Sequence, residues 1–163
     1  MVGPLNLGDI GPWVVPVGYL ALVTVPLAVT DVRTRRLPNA LVVPGLMLLG
    51  WALVWAALAE PGRALGGLVG AGVAGVLLST GWMLGAVGMG DVKLGAWLGG
   101  TAGMMDVFEH PGPVARGLVA GAVVLAALIV AELVARTPPA RARVPFGPPL
   151  LAAFWAAAAS GLI

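Results

Sequence analysis

Apolar residues fall in six long runs along this chain, roughly 12–30, 39–59, 65–86, 92–107, 114–135 and 145–162. A helix needs about 20 apolar residues to cross a bilayer. The pattern therefore predicts an all-α, polytopic bundle of six transmembrane spans. The fourth run is the shortest. A span of that length tilts little, thins the bilayer locally, or begins inside a protein-lined cavity where irregular backbone can still be satisfied.

Composition agrees. Of 163 residues, 60% are hydrophobic and 10% charged, whereas soluble domains carry about a quarter charged residues. The runs consume nearly the whole length, so residues 1–163 are expected to form a single transmembrane domain with no room for a second, soluble one. The formal net charge is +2, but the nine Lys and Arg lie scattered between apolar runs and form no basic face, which argues against nucleic acid as a partner. They read instead as orientation signals. Arg33, Arg35, Arg36, Lys93, Arg136, Arg141 and Arg143 mark loops one, three and five, against only Arg63 and Arg116 in the alternate loops. Excess positive charge holds short loops in the cytoplasm, which puts both termini on the extracytoplasmic side of the inner (cytoplasmic) membrane. Residues 1–11 lack the basic start of a secretory signal, so the first span is expected to be retained. With no cysteine there is no disulfide, thiolate nucleophile or Cys-based zinc site.

Small residues hint at how the helices pack. Gly66 with Gly70, and Gly117 with Gly121, place two glycines one turn apart on a face, which lets helices approach closely. Trp13 at the start of the first run suits interfacial anchoring. Trp51, Trp55, Trp82, Trp97 and Trp155 need packing explanations as well.

An ionisable side chain in or beside a span is costly and asks for a reason. Asp31 ends the first run directly after Thr30, and Asp91 closes Gly88-Met89-Gly90-Asp91 at the start of the fourth. By the orientation argument both lie near the cytoplasmic face. Taken alone, Asp31 reads as a solvated helix-end residue beside three arginines, and Asp91 as an N-cap. Together they supply what peptide hydrolysis needs: a carboxylate to take a proton from water and a carboxylic acid to hydrogen-bond the scissile carbonyl. Two close carboxyls share a proton, and that asymmetry separates base from acid.

Other residues fall around this pair. Gly88 and Gly90 have no Cβ, which permits positive φ and close approach of a substrate backbone. Asn39, after Pro38, is expected to cap the second span, and Lys93 to contact lipid phosphate in preference to biasing the charge of the two acids. Pro145, Pro148 and Pro149 with Gly147 mark an irregular start to the last span, read either as an ordinary helix start or as a segment whose Phe146 and Gly147 line the site. Glu132 lies one turn before Arg136, an arrangement that favours an ion pair. His110, with Asp106 and Glu109, reads as solvated outer loop; no metal site is expected.

Three segments in order, the Asp31 loop ending in Leu37-Pro38-Asn39, the run Gly88-Met89-Gly90-Asp91-Val92-Lys93-Leu94, and Val144-Pro145-Phe146-Gly147-Pro148-Pro149, resemble the type IV prepilin leader peptidases. The resemblance implies an intramembrane aspartic endopeptidase, needing no cofactor, that removes a short basic leader from prepilin-like proteins at the cytoplasmic face, in the service of pilus assembly or protein secretion. It aligns Asp31 and Asp91 with the family's catalytic aspartates, with Gly88, Gly90, Lys93, Pro38, Asn39, Phe146 and Gly147 shaping the site. Longer family members carry a cysteine-containing cytoplasmic segment and also methylate the new N-terminus. That segment has no counterpart here, so a peptidase without methyltransferase activity is expected.

Two other classes stand beside this one. A secondary transporter or proton-conducting protein also uses paired intramembrane acids, but would place them near the midplane. A non-catalytic pilus or secretion assembly subunit would use them only as caps. Oligomeric state, and the identity of the prepilin-like substrate, are left open by the residues.

Overall fold

The computed structural model describes residues 11–83, 87–105, 115, 118–124, 126 and 146–159. Among them every regular element is helical: α1 (Val14–Thr34), α2 (Asn39–Ala59), α3 (Pro61–Met83), α4 (Met89–Met104), a helical stretch at 118–124, and α5 (Gly147–Ala159). Most of the fifth expected span, with Glu132, Arg136, His110 and Gly117, lies outside the described residues.

Helices α1, α2 and α3 run 21, 21 and 23 residues and are long and apolar enough to cross a membrane. A helix suits lipid because it satisfies its backbone groups internally. Their outward faces are apolar: Leu22, Met47, Leu58 and Val76 are all exposed. A patchwork of that extent is what lipid, rather than water, accommodates. This is a membrane protein.

The chain turns tightly between these helices. Arg35 ends α1 in the left-handed conformation (φ 52°, ψ 33°), and its N–H returns to the carbonyl of Asp31 at 2.7 Å. Pro38, extended at φ −71° and ψ 123°, precedes the first residue of α2. At the far end of the hairpin Glu60 alone separates α2 from α3, and Pro61 opens α3, where a missing N–H costs no helical bond. Glycine is the usual residue at a left-handed helix stop, because a Cβ there costs roughly 1–2 kcal/mol. Arg35→Gly is accordingly expected to raise stability by about 1 kcal/mol, seen as a higher Tm in detergent.

Helix α4 is the centre of the bundle. It buries Val92, Leu94, Gly95, Trp97, Leu98 and every residue from Gly99 to Met104, so its surroundings are protein on nearly all sides, as expected of a helix without a polar face. The helix is 16 residues long and starts in a protein-lined cleft. Its glycines let α3 come in to backbone contact. A Cβ on Gly99 would stand 2.5 Å from the carbonyl oxygen of Gly70, and a Cβ on Gly103 would strike that of Gly66. The Gly66 and Gly70 face expected to pack closely does so, and α4 is what it packs on.

Polar side chains tie the outer helices to this core. Tyr19 donates from its hydroxyl to the Leu41 carbonyl at 3.1 Å, and its ring lies 5.7 Å from that of the fully buried Trp97. The Trp155 indole donates to Thr24 Oγ1 at 3.0 Å, joining α5 to α1. Both bonds satisfy donors that lipid could not.

Candidate active site

Asp31 lies in the last turn of α1, where its carboxylate points inward; the residue is 3% exposed. The solvated reading is thereby corrected. Its Oδ2 accepts the Gly147 N–H at 2.8 Å. Gly147 is the first residue of α5, and first-turn amides have no partner within their own helix. That amide, with the partial positive charge of a helix start, holds Asp31 in place of the arginines that follow it in sequence.

Asp91 is the third residue of α4, 9% exposed. It is not the N-cap, which is Gly88; its Oδ2 reaches back to accept the Gly88 N–H at 3.1 Å. Its Oδ1 is buried with no partner among the described residues. Trp97 Nε1 and Thr101 Oγ1, neither of which lines the cleft beside Asp91, are in the same state; what sets Asp91 apart is that its carboxylate borders open space.

The two acids come together. Asp31 and Asp91 line one open cleft of about 250 Å³, walled by Leu37, Gly88, Met89 and Gly90 and rimmed by Arg35, Arg36, Asn39 and Lys93. Each carboxylate is fixed through Oδ2 to a backbone amide. The floor is acidic and the rim cationic.

Several expectations for the surrounding residues change on contact with this geometry. Asn39 does not cap α2: Pro38 occupies that position, and Asn39 Oδ1 accepts from Lys93 Nζ at 3.1 Å. Lys93 Nζ thereby ties the start of α4 to the start of α2. Gly88 is extended at φ −82° and ψ 152°, so positive φ is not what glycine provides there, and its N–H already serves Asp91. The glycine at 90 matters for approach, since a Cβ would stand 2.9 Å from that of Leu37. Gly147 does reach the site, through its amide. Pro38 and Phe146 do not line the cleft; Phe146 is buried and its carbonyl accepts the Leu150 N–H at 3.2 Å.

Arg35, Arg36, Met89 and Leu37 line the cleft without having been expected there, and Leu37 is the one with a signal in the sequence. The available signal was an apolar side chain isolated in a basic loop and immediately followed by proline, which holds the preceding residue out of the helical region.

The model of the type IV leader peptidase family matches residues 18–138, a stretch that contains Asp31, Leu37, Pro38, Asn39 and the Gly88 to Lys93 segment and ends before Phe146. No curated protein and no solved structure matches the chain significantly. A match over most of the chain, embracing both acids of the cleft, means that this membrane protein belongs to the type IV leader peptidase family.

Proposed function

We propose that the chain is an intramembrane aspartic endopeptidase that removes the short basic leader from type IV prepilin-like proteins at the cytoplasmic membrane face. The observation that carries this reading is the meeting of two buried carboxyls, remote in sequence, in one open cleft. The accompanying topology is six spans in a single domain, both termini outside, with the cleft facing the cytoplasm; the distribution of Lys and Arg supports it.

In this mechanism one aspartate is ionised and takes a proton from a water lying between the pair. The resulting hydroxide oxygen bonds to the scissile carbonyl carbon, while the protonated aspartate gives its proton to the carbonyl oxygen, so that a neutral tetrahedral diol forms. As the diol collapses, one of its hydroxyls returns a proton to the second aspartate, the C–N bond breaks, and the leaving nitrogen takes a proton from the carboxyl that received one. One water is consumed, and the shared proton is restored to the dyad. A proton relay through the bilayer fits less well, because both acids sit at helix ends opening on the same cleft.

The test is reconstitution in liposomes with prepilin-like substrates and mass spectrometry of the products. Two fragments whose masses sum to substrate plus one water are expected, with one ¹⁸O from labelled water in the new carboxylate of the leader and a free, unmethylated amine on the other fragment. Substrates left whole by folded protein, or proton flux without cleavage, would reject the proposal.

A further inference from the structure

Leu37 lies beside what holds each acid. Its Cβ, carbonyl oxygen and amide nitrogen lie 2.9, 3.5 and 3.6 Å from where a Cβ on Gly90 would stand, so the first turn of α4, with Asp91 next in line, rests on the Leu37 backbone. At the other end of the side chain, Cδ2 lies 3.3 Å from where a Cβ on Gly147 would stand, and that same point is 2.8 Å from Asp31 Oδ2. A single leucine therefore lies between the turn that carries Asp91 and the residue whose amide fixes Asp31, leaving no room for even a methyl group on Gly90 and little on Gly147.

Its surroundings make it stiff. Pro38 follows and restricts the Leu37 backbone to extended conformations. Arg35 and Arg36 beside it are exposed, yet Leu37 is half-buried and packs against the core. The cost of immobilising a loop side chain is borne at the point where three segments distant in sequence converge.

We propose that Leu37 is a positioning residue, a rigid spacer that sets the separation of the Asp31 and Asp91 carboxyl groups. The rate consequence rests on the aspartic reading above; the spacing itself does not. Distance between catalytic groups is a sensitive quantity, since about 1 Å of misplacement costs on the order of a hundredfold in rate. Leu37→Ala removes the carbons that reach Gly147 and leaves the backbone contact with Gly90 in place. It frees one acid relative to the other.

The absence of cysteine permits a direct measurement. An Asp31→Cys, Asp91→Cys protein is treated with thiol crosslinkers of graded span, with Leu37 or with Leu37→Ala. A yield that peaks at one span with leucine and shifts or broadens with alanine is expected; the same span profile in both overturns the spacer. In the otherwise wild-type enzyme, Leu37→Ala should lower kcat about tenfold or more with KM little changed, whereas a change in KM or side-chain preference at constant kcat would make Leu37 a substrate contact instead. If the alanine variant does not fold, Leu37→Val and Leu37→Met decide: valine lacks the reach to Gly147 and methionine keeps it, so equal kcat in the two overturns the proposal. Crosslinks that respond to residue 37 in a protein whose Asp31→Asn variant still cleaves would leave the spacer standing and remove the dyad; inert aspartate variants with an unmoved span profile would do the reverse.

Discussion

Asp31→Asn and Asp91→Asn should each lower leader removal by at least about a thousandfold, within the range that general acid and base groups contribute, in protein that still inserts and folds. Asparagine keeps the shape of aspartate and an oxygen able to accept the Gly147 or Gly88 N–H, so both anchoring bonds survive. It neither takes a proton from water nor gives one to a carbonyl. Because each substitution also removes an ionisable group from an enclosed site, where an unpaired charge is costly, Tm in detergent should hold or rise. Activity and stability then move in opposite directions, which damage to the fold does not produce. The double variant should be no slower than either single one, since groups that act as a unit are not additive. Mass spectrometry of a co-expressed prepilin-like substrate reads the outcome, and processing by either single variant would remove the dyad.

The elements were written in the hydrophobic pattern to different depths. For α2 the expected run 39–59 and the helix Asn39–Ala59 coincide, because Pro38 and the Glu60-Pro61 pair punctuate both the hydropathy and the backbone. Elsewhere the two part company. Hydropathy ends the first run at 30, but α1 continues through Asp31 to Thr34, since hydrogen bonding does not stop where the side chains turn polar; it stops where Arg35 turns left-handed. Helix α4 begins at Met89 rather than 92, ahead of its apolar run, because Asp91 folds back onto Gly88. A side chain read as a cap at its own position instead acts three residues inside the cap, which is Gly88.

The pairing of the two acids was accessible from motif order and charge placement, but the way each is held was not. The Asp31 partner lies at the opposite end of the chain, and no local pattern encodes a bond between segments that distant. The same holds for Asn39, whose ordinary local explanation is capping, and which instead accepts from Lys93, 54 residues away. Local readings fail here where tertiary contacts reassign a polar group, and that is at the cleft.

Gly147→Ala should lower kcat about a hundredfold, the cost expected for roughly 1 Å of misplacement, while the protein folds as well as before. Alanine is the better helix former by ~1 kcal/mol in a helix interior, and no positive φ demands glycine at 147, so nothing in α5 itself resists the change. The added methyl, however, would stand 2.8 Å from Asp31 Oδ2, 3.3 Å from its Cγ and 3.3 Å from Leu37 Cδ2. The leucine is braced by Pro38 and α4, so the carboxylate is what must give way, and in moving it lengthens the 2.8 Å bond from the Gly147 amide. Tm and kcat measured on the same preparation separate this from misfolding. A wild-type rate from Gly147→Ala would mean that the dyad tolerates displacement of Asp31, in which case the amide at the start of α5 fastens the bundle and has no hold over the chemistry.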